Sequence, residues 1–268
     1  QNWAPVSSDY TGKQYWYMYS ARTTDRYDPN FLNERENYFH KPLVNLNHFL
    51  TINDKTRLSS VFYWSGGSGG GTGTYGKIPT IDADGTLGYY GRSPWTRDWN
   101  TLISYNSGDQ DTVYVDKTAL VRTHGEGNNQ SVGILRNSIN RQNTYGVISK
   151  LNYDVSDDLE VQVGLDWRTA GIEHAREVRD LMGGDYYMDY ADDNAPDGKV
   201  VELGDIIAYH NSTTVDWLGG FVQGNYTNGD LNVYGMGGLS SIKYSYQDHF
   251  TVANEVIKAD AIMTKQFK

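Results

Sequence analysis

Residues able to do chemistry are plentiful in this chain of 268 residues, but they are scattered. The six histidines, His40, His48, His124, His174, His210 and His249, form no HExxH pair for zinc and accompany no GxSxG nucleophile. Asp and Glu together number 33, yet no two of them stand out as the acid and base of a glycosidase. Asp82-Ala83-Asp84-Gly85 and Asp192 to Gly198 gather the hard oxygens that calcium prefers. Neither follows the calcium-loop pattern, and both read as solvated acidic loops. Ser65-Gly66-Gly67-Ser68-Gly69-Gly70-Gly71 has the glycine density of a phosphate cradle. No Lys-Ser/Thr and no helix follow it, so a flexible loop is the reading. Glu173-His174 and Arg176-Glu177 read as salt-linked pairs on a short helix, Glu173 to Met182, closed by Gly183-Gly184. No catalytic residue, metal ligand or cofactor site is assigned.

Recognition is the chemistry left. Tyr89, Tyr90, Trp95 and Trp99 lie among Gly, Asp, Ser and Asn, with Arg92 and Arg97 between them. Aromatic faces can stack on sugar rings or peptide side chains, and the arginines can meet an anionic group. The plainer reading is that these side chains pack loops against one another. A second cluster, Tyr10, Tyr15, Trp16, Tyr17 and Tyr19, followed by alternating Arg, Asp and Glu up to Glu36, reads as a loop or strand tip. The net charge of −10 excludes nucleic acid as the partner, because phosphate binding needs clustered Lys and Arg. It also makes a strongly anionic substrate the least comfortable choice. The chain has no Cys, hence no disulfide and no thiolate metal site.

The elements that must position these residues are strands. From Tyr145 to Thr169 the sequence alternates with a period of two. Leu159, Val161, Val163, Leu165 and Trp167 take one face, and Glu160, Gln162, Asp166 and Arg168 the other. Ser156-Asp157-Asp158 supplies the turn. A second hairpin runs from Val44 to Trp64 around Asn53-Asp54-Lys55-Thr56, and a third from Val215 to Tyr246 around Thr227-Asn228-Gly229-Asp230, where Asn-Gly is a strong hairpin signal. Residues 67 to 142 show no long strand beyond a weak one from Asp111 to Arg122, and residues 247 to 268 fit no element.

Each paired run is about eleven residues, roughly twice the usual strand, and its polar face carries charges that a dry core would reject. The mean hydropathy of −0.63 hides nothing helical that could span a bilayer, but alternation conceals a membrane barrel from such averages. The short turns all fall at one end while the intervening joins are long, aromatic and rich in Gly. Outer-membrane barrels are built so, whereas sandwiches mix loop lengths at both ends. The expected fold is therefore all-β, an antiparallel transmembrane barrel segment, with residues 1–268 part of one barrel domain.

The stretches NYFHKPLVNLNHFLTINDKTRLSSVFYWSGGSGGGTG, ILRNSINRQNTYGVISKLNY and GLDWRTAGIEHAREVRDLMGGDYYMD resemble barrel segments of TonB-dependent outer-membrane receptors of the Bacteroidetes type. The resemblance covers about two thirds of the chain, and a pattern of strands and loop openings carries it. It implies a barrel of about 22 strands in a Gram-negative outer membrane. It also implies TonB-dependent uptake of a glycan, peptide or metal chelate without a catalytic step. The implied partners are outer-membrane lipid, the TonB complex reached through a plug domain, and a surface lipoprotein. No plug, TonB box or carboxypeptidase-like leading domain is seen, and Phe267 is followed by Lys268. Six clear strands cannot close a barrel, so the expectation is an interior part of a longer receptor. The rivals are a non-transporting barrel, adhesin or scaffold, and a secreted carbohydrate-binding β-protein.

Overall fold

The computed structural model describes residues 3–5, 31–35, 37–82, 95–122, 129–251 and 256–267. It is an all-β protein, mostly antiparallel sheet with one short helix among the described residues. Eight strands build one antiparallel wall: β1 (Asn37–His40), β2 (Leu43–Asn53), β3 (Thr56–Gly76), β4 (Gly133–Asp154), β5 (Leu159–Asp180), β6 (Ile206–Asn228), β7 (Leu231–Asp248) and β8 (Val256–Phe267). The order across the wall is β8-β7-β6-β5-β4-β3, an up-and-down meander. The outer edge of β3 is shared, with β2 along its first half and β1 along Ser68 to Gly71. The sheet is open, since β8 and the β1/β2 edge pair with no further described strand.

All three expected hairpins are present, and their turns stand side by side. Thr56 lies opposite Tyr153, and Leu159 opposite Tyr226. The turns are also stitched together: the Asp154 amide donates to the Lys55 carbonyl (2.9 Å) and the Thr227 amide to the Asp158 carbonyl (2.8 Å). Gly229 supplies the positive φ, 57°, that the β6–β7 turn needs.

The strands run much farther than the sequence suggests. β3, β4, β5 and β6 have 21, 22, 22 and 23 residues, about 70 Å each at ~3.3 Å per residue. The glycine run at 65–71 is not a flexible loop. It continues β3, because bare backbone still pairs, and Ser65 to Gly76 lie opposite Thr144 to Gly133 of β4. The expected helix from Glu173 to Met182 is instead the upper half of β5, paired on both sides up to Glu177. Ladder bonds to two neighbours outweigh its local helical preference. The glycine stop at 183 does end the element, as a turn in which Met182 and Gly183 take positive φ. The terminal stretch, assigned to no element, contains β8, paired to β7. The weak strand near 111–122 is a small hairpin, Thr112–Val115 with Thr118–Val121, turned by Asp116 and Lys117 in the left-handed region. Residues 6 to 30, with the first aromatic cluster, lie outside the described residues.

The alternation read from the sequence becomes two unlike faces. On the apolar face Val163 is 46% exposed, Leu165 53% and Trp167 42%, and no described residue covers them. They continue across the sheet into Leu218 and Val222 of β6 and Leu151 and Val147 of β4. These exposed side chains form one contiguous band over β4, β5 and β6, the kind of apolar surface that ordinary monomers keep small. On the polar face Arg57 pairs with Asp154 (3.0 Å) and approaches Glu160, while Arg168 pairs with Asp166 and stacks on Trp217 (4.9 Å).

Buried apolar residues gather above the wall, at the end away from the turns. Helix α1 (Trp99–Asn106) sinks Trp99 and Leu102 against Ile78, Leu135 and Met182. Asp98 caps the helix by accepting from the Thr101 amide and hydroxyl. Asn106, fully buried, donates to the carbonyls of Gly133, Leu181 and Met182 and accepts from the Val132 amide, tying the helix to β4 and β5. A second cluster joins Ile134, Val178, Val201 and Ile207. Among the described residues, the hydrophobic core is this cap.

Candidate functional site

The upper half of the polar face, between the exposed band and the cap, holds the candidate site. Its floor is the glycine run of β3. Gly67, Gly69, Gly71 and Gly73 lie opposite Gln142, Asn140, Ser138 and Arg136 of β4, so the longer β4 side chains can fold across bare backbone. A cleft of about 330 Å³ opens here, where this face presents Phe39 and Lys41 from the β1 edge, Asn140 and Gln142 from β4, and Ile172 and His174 from β5. Nδ1 of His174 bonds Oδ1 of Asn140 across the ladder. Amides, an imidazole and the Phe39 ring together can hydrogen-bond and stack on a polar ring-bearing solute.

Higher on the same face two arginines come together. Arg136 and Ser138 are two apart on β4, and Ser138 faces Arg176 of β5, so all three share one face. Nη1 of Arg136 donates to the Gly71 carbonyl and the Ser138 hydroxyl, both at 2.9 Å. Arg176 sits against the rings of Tyr75 (5.5 Å) and Tyr209 (5.1 Å). Burial, and then the charges of Arg176 and Arg35, push the Arg136 guanidinium below its ordinary pKa. Tyr75 and Tyr187 are raised, mainly by burial and further by Asp189, so both phenols stay neutral. Asp189 itself accepts from the Tyr75 hydroxyl (3.3 Å) and the Ala208 amide (2.9 Å).

Of the recognition residues expected from sequence, Tyr89, Tyr90 and Arg92 lie outside the described residues. Trp95 lies in a short strand whose Asp82 partner closes a two-stranded ladder, and its side chain is not described. Arg97 and Trp99 are packing residues. Arg97 is 4% exposed and donates from Nε to Glu34 (3.1 Å), which is itself 1% exposed. Trp99 is fully buried in the cap and offers no ring face to a solute. Asp192, in the acidic segment, accepts from the backbone and side-chain amides of Asn194. Sequence reasoning missed Asn140, Gln142, His174, Arg136 and Arg176. The available signal was the glycine run itself, whose bare positions leave room for long side chains opposite. No protein-family model matches the chain, and no curated protein matches it significantly.

Proposed function

We propose that this chain forms part of the wall of a transmembrane β-barrel in a Gram-negative outer membrane, as a TonB-dependent receptor taking up a nutrient that is bound from the polar face. One observation carries the reading: the apolar face is bounded by aromatic rows above and below. Next to the turns stand Tyr153 and Tyr226, and eight residues up the strands stand Tyr145, Trp167 and, across from Tyr145, Trp64. Eight residues are ~27 Å along a strand, or ~20 Å once tilted, near the ~25 Å band and aromatic girdles of outer-membrane barrels. Above the upper row the same face turns polar. Thr169 bonds Asp216 (2.6 Å), Arg141 meets Glu173 (3.4 Å) and Glu177 (3.6 Å), and Glu173 bonds His210 (3.0 Å). Such charges suit water or headgroups. The charged opposite face suits a wet lumen.

The test uses single cysteines at Val163 and Gln162, each carrying an environment-sensitive fluorophore, in the full chain reconstituted into vesicles. The Val163→Cys label should be quenched by lipid nitroxides and the Gln162→Cys label by aqueous iodide. Equal access of iodide to both would overturn the membrane reading, and a chain that stays soluble without detergent would favour the secreted alternative. For transport, uptake in cells should stop when the inner-membrane proton gradient is collapsed. A lipid-facing Val163→Cys label with no gradient-dependent uptake would leave a non-transporting barrel.

A further inference from the structure

We propose that Arg136 and Arg176 form a receptor for an oxyanion, a carboxylate or sulfate group carried by the bound solute. The inference names a substrate chemistry for the uptake reading and rests on it for the direction of transport, but the binding event itself is independent of the membrane. Four observations carry it. The two side chains rise from one face on adjacent strands, as diagonal neighbours, within reach of a single anion. No carboxylate among the described residues makes an ion pair with either. Glu34, whose charge reaches Arg136, is itself paired with Arg97 and Arg35, and Asp189 bonds Tyr75 and Ala208. Both Nε atoms are buried without a hydrogen-bond partner, and Arg176 makes no hydrogen bond to any described residue, held only by its two tyrosine rings.

Gly73 adds room: a Cβ there would stand 3.0 Å from Nη2 of Arg136 and 2.8 Å from Nη1 of Arg35, so the bare position lets both guanidinium tips lie over β3 without moving aside. Two half-buried guanidiniums repel one another, and an anion between them removes that repulsion while taking up donors that burial has deprived of water. The planar fork suits carboxylate and sulfate, and the flanking rings suit the ring that bears them.

The experiment follows the arginine Nε–H resonances of the full chain in detergent micelles, titrated with glucuronate, sulfate or neutral glucose. Arg136 and Arg176 resonances should move saturably with glucuronate and sulfate and not with glucose. Arg176→Gln should weaken glucuronate binding at least tenfold, while Arg57→Gln near the turns leaves it unchanged. Arg176→Lys keeps the charge, guards against misfolding, and should fall between. Glucuronate affinity equal in Arg176→Gln and the parent overturns the proposal. So does absence of any anion-dependent shift, which would mean that the two guanidiniums are occupied by a carboxylate of the polypeptide itself. A soluble, lipid-free chain that still binds glucuronate would remove the membrane reading and leave the site.

Discussion

Gly146 and Gly164 lie beneath the rings of Tyr63 and Phe221, so close that a Cβ at either position would overlap the ring. These rings cover bare backbone on the polar face and shield its ladder hydrogen bonds. Aromatic residues therefore do several different jobs here, and type alone does not say which. Trp99 shows the difference. Its ring, fully buried, fills the cap between Ile78, Leu102, Leu135 and Met182. Trp99→Ala should cost ~3–5 kcal/mol by leaving a cavity there. Thermal or denaturant melts of the full chain would read it, and an unchanged melting curve would contradict this packing role. From sequence, Trp99 reads as a ligand platform because Gly, Asp and Ser surround it. The short α1 that turns it inward has only eight residues, too few for a clear helical period.

At the scale of elements, the exposed band makes the sharpest claim. Val163 sits mid-band on the apolar face, while Glu160 sits near the turns on the polar one. If the band faces lipid as proposed, Val163→Arg should cost ~2–4 kcal/mol by forcing a guanidinium into hydrocarbon, and Glu160→Gln should cost far less, as befits an exposed charge. Unfolding titrations in lipid vesicles would show the ordering, and equal costs would mean that the two faces see the same medium. The hairpins themselves were legible because alternation and turn residues agree at Asn53–Thr56, Ser156–Asp158 and Thr227–Asp230. The upper halves were not. Along Gly66 to Gly73 there is little side chain to alternate. Along Glu173 to Asp180 polar residues appear on both faces, since that half stands above the apolar band. The cross-strand meeting of Arg136 with Arg176 depends on register over some forty residues, which no local pattern records.

For the whole molecule, all three tight turns share one end and the cap the other. In an outer membrane this arrangement puts the turns on the periplasmic side. Asp157→Cys should resist an impermeant maleimide applied to intact cells and react once the outer membrane is opened, whereas Asp197→Cys, among the opposite connections, should react at once. Labelling of the Asp157→Cys variant from outside would reverse the orientation. The net charge of −10 describes the surface as a sum, and it argues against an anionic substrate; Arg136 and Arg176, diagonal neighbours on one face, show that positive charge can still be gathered locally.

The meander topology also bears on how the protein is made. Each of the three hairpin ladders begins at a turn of a few residues, where closing the chain costs little entropy, and can lengthen one pair at a time away from it. The cap instead joins Trp99 to Leu135 and Met182 across long stretches of sequence, contacts of the kind that form slowly. Assembly should therefore zip upward from the turns and close at the cap last, so the face that carries Arg136 and Arg176 takes shape only once the wall beneath it stands.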